Sequence, residues 1–371
     1  RKDDRDGAIA DFDEAIDLFD DAGNKVEAAL AYNNRGLTKK KKGNYGGAIA
    51  DYGKAIKLKP DFAEAYNNRG NAKYEKGDYD GAIADYDEAI RLNPDYAVAY
   101  NNRGSAKYCK GDYDGAIADC SKAIELKPDY VDAYNNRGNA KQEKGDLDGA
   151  IADFDEAVRL DPRYAGAYYN RGNAKKKKGD YDGAIADYGK VIELDPRYAD
   201  AYNNRGAARA DKGDYDGAIA DYNEAIGLNP RYADAYYNRG NAKYEKGDQD
   251  GAIADFDEAI KLGPDCADAY NNRGTAKAAK GDYDGAIADY DEAIKLKPRY
   301  AEALYNRVLV LSASGEGERA KEEMEKLKKL KGLFPEETVA LLEIAVSFNL
   351  KEYDAAAGLL EDLKTRIPPH M

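Results

Sequence analysis

The sequence predicts an all-α solenoid of antiparallel helix pairs, and three observations carry that prediction. The tetrapeptide Asn-Asn-Arg-Gly, or its near twin Tyr-Asn-Arg-Gly, returns every 34 residues, with its glycine at Gly36, Gly70, Gly104, Gly138, Gly172, Gly206, Gly240 and Gly274. A proline keeps the same interval at Pro60, Pro94, Pro128, Pro162, Pro196, Pro230, Pro264 and Pro298. Between these markers the apolar residues recur at helical spacing. A fixed period of this length denotes stacked copies of one small unit, not a domain with a single core. It also supplies an internal alignment: residues identical in every copy report what the scaffold needs, and residues that change mark where a partner could be read.

Residues 63–96 show how each element is specified. A first helix spans Ala65–Lys76, with small Gly70 and Ala72 where a neighbouring helix can approach. Gly77 stops it and Asp78 offers a carboxylate to cap the next helix. Asp80 places negative charge in the first turn, favourable for the macrodipole. From Tyr79 the apolar residues run Tyr79, Ala82, Ile83, Tyr86, Ala89 and Ile90, one face of a second helix. Pro94 closes that helix because it can neither donate a hydrogen bond nor continue the turn. Helices of about a dozen residues are marginal alone in water. Stability must come from stacking copy on copy.

The pattern divides the chain. Residues 29–300 hold eight full units. Residues 1–28 form a partial unit, because Asp6-Gly7-Ala8-Ile9 matches Asp80-Gly81-Ala82-Ile83 of a second helix. The stretch from Leu18 to Ala29 is longer than elsewhere and lacks proline, which predicts a longer or continuous helix at the first joint. Residues 301–368 form two divergent units that read as a C-terminal cap, since one side of a terminal unit meets water. In the last pair the predicted stripes are Val339, Leu342, Ala345 and Phe348, then Tyr353, Ala356, Leu360 and Leu363. Residues 369–371 are a tail, and His370, the only histidine, is not read as a ligand.

Tyr66, Gly70, Tyr74, Ala82, Tyr86 and Pro94 fall at the spacings of the tetratricopeptide repeat (TPR) signature, which this chain resembles over eight copies from Ala29 to Tyr300. Two features depart from the family pattern: Arg69 stands where leucine is usual, and the next aromatic is shifted by one residue. The resemblance implies a right-handed TPR superhelical solenoid whose first helices line the concave face.

Composition narrows the function. A net charge of −14 argues against nucleic acid or anionic membrane as partner. No stretch is apolar enough to span a membrane. Cys109, Cys120 and Cys266 occupy unrelated places in their repeats, which suggests reduced thiols. With no Asn-x-Ser/Thr sequon either, the sequence leans towards the cytoplasm. Aspartate and glutamate are abundant but mostly recur in every copy, and identical active sites in every repeat make no sense. Metal and nucleophile readings lack ligands. Gly315-Glu316-Gly317 lacks the strand and third glycine of a phosphate loop and reads as a helix joint. The expectation is a non-enzyme without cofactor or metal. The runs Lys39–Lys42 and Lys175–Lys178 read as lysines favoured at helix C-termini, with docking spots as the second option.

Carried onto this sequence, the implied concave face has an invariant column, Asn34, Asn68, Asn102, Asn136, Asn170, Asn204, Asn238, Asn272 and Asn306. It is similar to the asparagine ladder in the TPR region of the O-linked N-acetylglucosamine transferase, which holds the backbone of an extended polypeptide. An amide carries a donor and an acceptor and so suits a peptide bond without demanding sequence. Hydrogen bonding to the neighbouring repeat is the alternative role, and both can hold. Other columns vary: one includes Tyr74, Tyr108 and Tyr244, another Asp132, Asp200, Asp234 and Asp268. The acidic column makes the face negative. The Arg35, Arg69, Arg103 column pairs in number with Asp51, Asp85 and Asp119, and a buried arginine stem needs a partner. An ion-pair ladder between the helices is expected. The reading is a scaffold that binds an extended, basic protein or peptide segment in its groove. A self-assembling structural solenoid and the substrate-recognition arm of a larger enzyme are the alternatives, and self-association stays open.

Overall fold

The computed structural model describes residues 5–329, 336–349, 351–352 and 355–360. The chain divides into two compact units, Arg1–Leu194 and Asp195–Met371. The first contains α1 (Arg5–Asp21), α2 (Lys25–Lys41), α3 (Tyr45–Leu58), α4 (Ala63–Glu75), α5 (Tyr79–Leu92), α6 (Ala97–Cys109), α7 (Tyr113–Leu126), α8 (Val131–Glu143), α9 (Leu147–Leu160), α10 (Ala165–Lys177) and α11 (Tyr181–Leu194). The second contains α12 (Ala199–Asp211), α13 (Tyr215–Leu228), α14 (Ala233–Glu245), α15 (Gln249–Leu262), α16 (Ala267–Ala279), α17 (Tyr283–Leu296), α18 (Ala301–Ala313), α19 (Gly317–Lys329) and α20 (Glu336–Asn349). Residues 355–360 are also helical. No strand occurs among the described residues.

Local chemistry sets these boundaries much as the sequence implies. Gly77 follows α4 at φ +79°, a conformation glycine adopts without penalty, and its N–H donates to the Tyr74 carbonyl at 2.8 Å. The Asp78 side chain then accepts the Gly81 N–H at 3.0 Å and caps α5. Asn93, ahead of Pro94, closes α5 with a bond to the Ala89 carbonyl.

Within each unit a first helix packs on its own second helix, and that second helix packs on the next first helix. The hairpin seam is alanine-rich, and its large side chain is an aromatic from the second helix. Tyr86 is 1% exposed, and a Cβ added to Gly70 would lie 2.6 Å from its ring. This close approach explains the invariant glycine, since the ring occupies the space a side chain would need. Burying each such aromatic contributes about 1.5–3 kcal/mol. In α7 the aromatic is replaced by Cys120, also fully buried, and burial pushes its thiol up to about 12.

The expected arginine–aspartate ladder is present. Arg69 Nε and Nη2 donate to Asp85 Oδ2 and Oδ1 at 2.9 and 2.6 Å, and the same fork recurs from Arg103 to Asp119 and from Arg137 to Asp153. In the second unit Arg205, Arg239 and Arg273 hold Asp221, Asp255 and Asp289. Lys73 adds a second cation to Asp85 at 2.7 Å, as Lys141 does to Asp153. Arg103 also reaches Asp87 of the preceding second helix, at 2.6 Å, so the ladder ties repeat to repeat. Burial alone would raise the Asp51 carboxyl, but hydrogen bonds from Arg35 and Lys39 outweigh it and hold it below its ordinary value.

The ends differ from expectation in three respects, one being that Leu360, named in the last stripe, is 42% exposed. The helices at the first joint are longer, 17 residues each, but they are not continuous: Gly23 at φ +67° and the Asn24 cap separate α1 from α2. In α20, Leu342 and Val346 are buried, whereas Phe348 is 60% exposed and does not belong to the packed stripe. An i, i+4 pair faces the preceding helices here, and Phe348 lies beyond it. Val308 takes the glycine position in α18 and joins Leu311, Met324 and Leu327 in a broader aliphatic core. Tyr353, Leu363 and His370 lie outside the described residues.

Candidate binding groove

Consecutive first helices touch one another within each unit (α2 to α4 and so on to α10, then α12 to α18), while consecutive second helices do not. The first helices therefore crowd along an inner face, and the positions named from the sequence are carried on them. Asn68 stands three residues after Ala65 and four before Ala72, so it shares a helical stripe with these buried alanines, and its counterparts from Asn102 to Asn272 do the same.

Column asparagines in both units spend the amide donor on the preceding repeat. Asn68 Nδ2 donates to Asn33 Oδ1 at 3.1 Å, Asn102 to Asn67 and Asn71 at 3.0 Å each, and Asn136 to Asn101 and Ser105 at 3.0 Å each. Asn170 donates to Asn135 at 3.0 Å. In the second unit Asn238 donates to Asn203 at 3.1 Å, and Asn272 to the Tyr237 hydroxyl and Asn241 at 3.1 and 2.8 Å. Asn204 Oδ1 accepts from Asn203. The inter-repeat role raised from the sequence thus exists in the structure. Asn102, Asn136, Asn170 and Asn238 are half-buried, and their Oδ1 atoms are not among the buried atoms that lack a partner. The acceptors of this second column, Asn33, Asn67, Asn101, Asn135, Asn203 and Asn271, are buried and were not singled out from the sequence. The available signal was the variation of that position between asparagine and tyrosine alone.

Asp132, Asp200, Asp234 and Asp268 sit in the first turns of α8, α12, α14 and α16, and all four are exposed. Burial and the Asp132 charge push the Tyr164 phenol up to about 12, and burial with Asp268 nearby raises the Tyr300 phenol above its ordinary value. Tyr74 stacks edge-on against Tyr79 with centroids 5.4 Å apart, and its hydroxyl lies 3.2 Å from Cys109 Sγ. Tyr108 stands 5.5 Å from Tyr113.

Two inner-face cavities occupy the same repeat positions. One, of about 190 Å³, is lined by Lys40, Asn71, Tyr74, Glu75, Tyr86, Asn102 and Ser105. The other, of about 260 Å³, is lined by Asn241, Tyr244, Glu245, Phe256, Asn272, Thr275 and Glu302. Each has an aromatic wall, an amide rung, a hydroxyl and a carboxylate lip. They differ in charge: Lys40 balances Glu75 in the first, whereas Glu302 reinforces Glu245 in the second. Such a lining can hold a polar or cationic side chain. Of the lysine runs, Lys39 and Lys175 bind the ladder aspartates Asp51 and Asp187, and Lys42 and Lys178 bind Asp6 and Asp148.

Fold and face together define a helical-repeat scaffold, and the family is shown by sequence. A TPR repeat profile matches residues 36–247 in overlapping copies, and tetratricopeptide-repeat profiles match 237–301 and 277–336. The chain belongs to the tetratricopeptide-repeat family. No curated protein matches it. Among solved structures, a tetratricopeptide repeat protein from Parabacteroides merdae ATCC 43184 is similar with a TM-score of 0.52 and 21% identity, over 67% of this chain and 98% of that one. The APC/C hetero-tetramer Cut9–Hcn1 gives a TM-score of 0.54 at 18% identity, over 77% and 55% of the two chains. YrrB, described as a TPR protein with an unusual peptide-binding site, gives a TM-score of 0.43 at 27% identity, over 50% and 95%. Among the described residues no helix is long and apolar enough to cross a membrane.

Proposed function

We propose that the inner faces of this TPR scaffold bind extended polypeptide segments rich in lysine and arginine, in a cytoplasmic setting. The observation that carries this reading is the pairing of exposed first-turn carboxylates with cavities that end in carboxylates, chiefly the one formed by Tyr244, Glu245, Asn272 and Glu302. The asparagine column contributes through its Oδ1 atoms, which accept partner backbone N–H groups while Nδ2 stays with the neighbouring repeat. That is half of the role suggested by the similarity to the O-linked N-acetylglucosamine transferase repeats.

The test is a fluorescein-labelled lysine- and arginine-rich peptide titrated against the full chain and against the triple variant Asp200→Asn, Asp234→Asn, Asp268→Asn. These exposed carboxylates can be neutralised without unfolding the scaffold. At roughly 0.5 kcal/mol for each exposed charge, the variant should bind ~10-fold more weakly. Binding should also weaken as salt rises, and a glutamate-rich peptide should not bind. Equal affinity for the two peptides, or none for the basic one, would contradict the proposal.

A further inference from the structure

The inner-face cavity of the second unit differs from its counterpart in the first at three aligned positions, and each change favours the same kind of ligand. The repeat period places Asn241 at the position of Asn71, Tyr244 at that of Tyr74 and Phe256 at that of Tyr86. In the first unit the Asn71 amide oxygen is used twice, accepting from the Tyr86 hydroxyl at 2.8 Å and from Asn102 Nδ2 at 3.0 Å. Phe256 has no hydroxyl to give, and among the described residues Asn241 Oδ1 accepts from Asn272 Nδ2 alone, at 2.8 Å. An amide oxygen has two lone pairs, so one is left for a ligand. The rings of Tyr74 and Tyr108 pack on Tyr79 and Tyr113, with centroids 5.4 and 5.5 Å apart. Gln249 stands at that position in α15, so Tyr244 is not held in such a pair.

The charge changes with them. Lys40 lines the first cavity together with Glu75, and Ala210 takes its place in the second unit. Glu245 and Glu302 line the second cavity, both exposed, and among the described residues neither pairs with a lysine or arginine. At about 260 Å³ the space lies below the roughly 300–1,000 Å³ of small-molecule sites and suits a single side chain. A guanidinium answers every feature of this lining. It is planar and stacks on an aromatic face, it stays charged, and its five donors can serve two carboxylates and an amide oxygen together. A lysine ammonium is a compact, strongly hydrated charge with three donors, and it leaves the ring and part of the acceptor set unused. Building on the inner-face reading, we propose that this cavity is an arginine subsite. It seats one arginine side chain of the bound segment against Tyr244, with Glu245, Glu302 and Asn241 Oδ1 as acceptors. The first unit's cavity, with Lys40 in its lining and Asn71 fully used, does not share this selectivity.

The test uses fluorescein-labelled lysine-rich peptides that are identical except for one central residue, which is arginine, lysine or citrulline. Citrulline keeps the shape of arginine and loses its charge. Anisotropy titrations against the full chain should place the arginine peptide ahead of the other two by at least ~5-fold. Ala210→Lys brings the cation of the first cavity into the second, at a position where α2 and α10 already carry Lys40 and Lys176, so the helix accommodates it. Glu302→Gln removes one acceptor charge from an exposed position. Either variant should reduce the arginine preference to less than ~2-fold. Equal binding of the arginine and lysine peptides to the unaltered chain would overturn the subsite, and if both still weakened with salt the inner-face reading would stand without it. A preference that persists unchanged in both variants would also overturn it, by placing the arginine elsewhere. Failure of all the peptides to bind would overturn both readings.

Discussion

Replacing Gly70 by alanine should destabilise the protein, although alanine is the better helix former. The Cβ would lie 2.6, 2.9 and 3.1 Å from Cε1, Cδ1 and Cζ of Tyr86. Comfortable carbon contacts begin near ~3.5 Å, so the ring must retreat by about 0.9 Å. It has no room to do so. Tyr86 is 1% exposed, packs with Ala82 and Ala106, and donates its hydroxyl to Asn71 Oδ1 at 2.8 Å. Overpacking of this kind costs about 2 kcal/mol, and loosening the hydroxyl bond adds roughly 1. The gain in helix propensity offsets about 1, leaving a net loss of about 2 kcal/mol. Gly227 is the control: it is helical and exposed, and an added Cβ meets nothing within 4 Å, so Gly227→Ala should gain ~0.5–1 kcal/mol. Gly104→Ala should cost less than Gly70→Ala, because its Cβ would meet the smaller Cys120 Sγ at 2.8 Å. Urea unfolding followed by circular dichroism reads all three. Shifts of the same sign for Gly70→Ala and Gly227→Ala would refute the reasoning.

Three further outcomes are expected. Tyr52→Phe should be neutral or slightly stabilising, because its buried hydroxyl has no partner where Leu37 replaces the asparagine, while Tyr188→Phe should cost about 1 kcal/mol by removing its hydrogen bond to Asn173; urea midpoints compare the two. Asp153→Ala should cost about 3 kcal/mol, the low end for a broken buried pair, since it leaves Arg137 and Lys141 facing each other with both partly solvated. Burial pushes the Tyr130 and Tyr290 phenols up to about 12 from 10.0, so their contribution is fully present below pH 10 and is lost as pH rises towards 12, where the unfolded chain ionises first. On the acid side the depressed Asp51 contributes above its ordinary 3.8, and that part is lost as pH falls lower; circular dichroism across a pH series checks both limbs.

The 34-residue period made most of the fold readable. It aligned Gly77, Asp78 and Pro94 with their counterparts, and each acts locally, within one turn of its own helix. The pairing of Arg69 with Asp85 was also readable, because one of each occurs per unit. What joins one repeat to the next was readable only as an alternative role for the asparagines, without its geometry. The direction of the Asn102 amide towards Asn67 and the second arm of Arg103 on Asp87 depend on how neighbouring copies are rotated, which a spacing rule does not encode. Phe348 failed for a related reason: in α20 the buried face is chosen by α18 and α19, and spacing alone fits two faces. Positions that change between copies were taken to mark where a partner could be read, yet Asn71 and Asn173, whose position changes, accept hydrogen bonds from Tyr86 and Tyr188, so part of that variation answers to the core.

The central claim, that the inner faces bind basic polypeptide, is tested most directly by amide hydrogen exchange with and without a saturating lysine- and arginine-rich peptide. The account predicts added protection in the first helices, strongest in α14, α16 and α18 around Tyr244, Asn272 and Glu302, and little change in α13, α15 and α17. Protection concentrated in the second helices, or none anywhere at saturation, would contradict it.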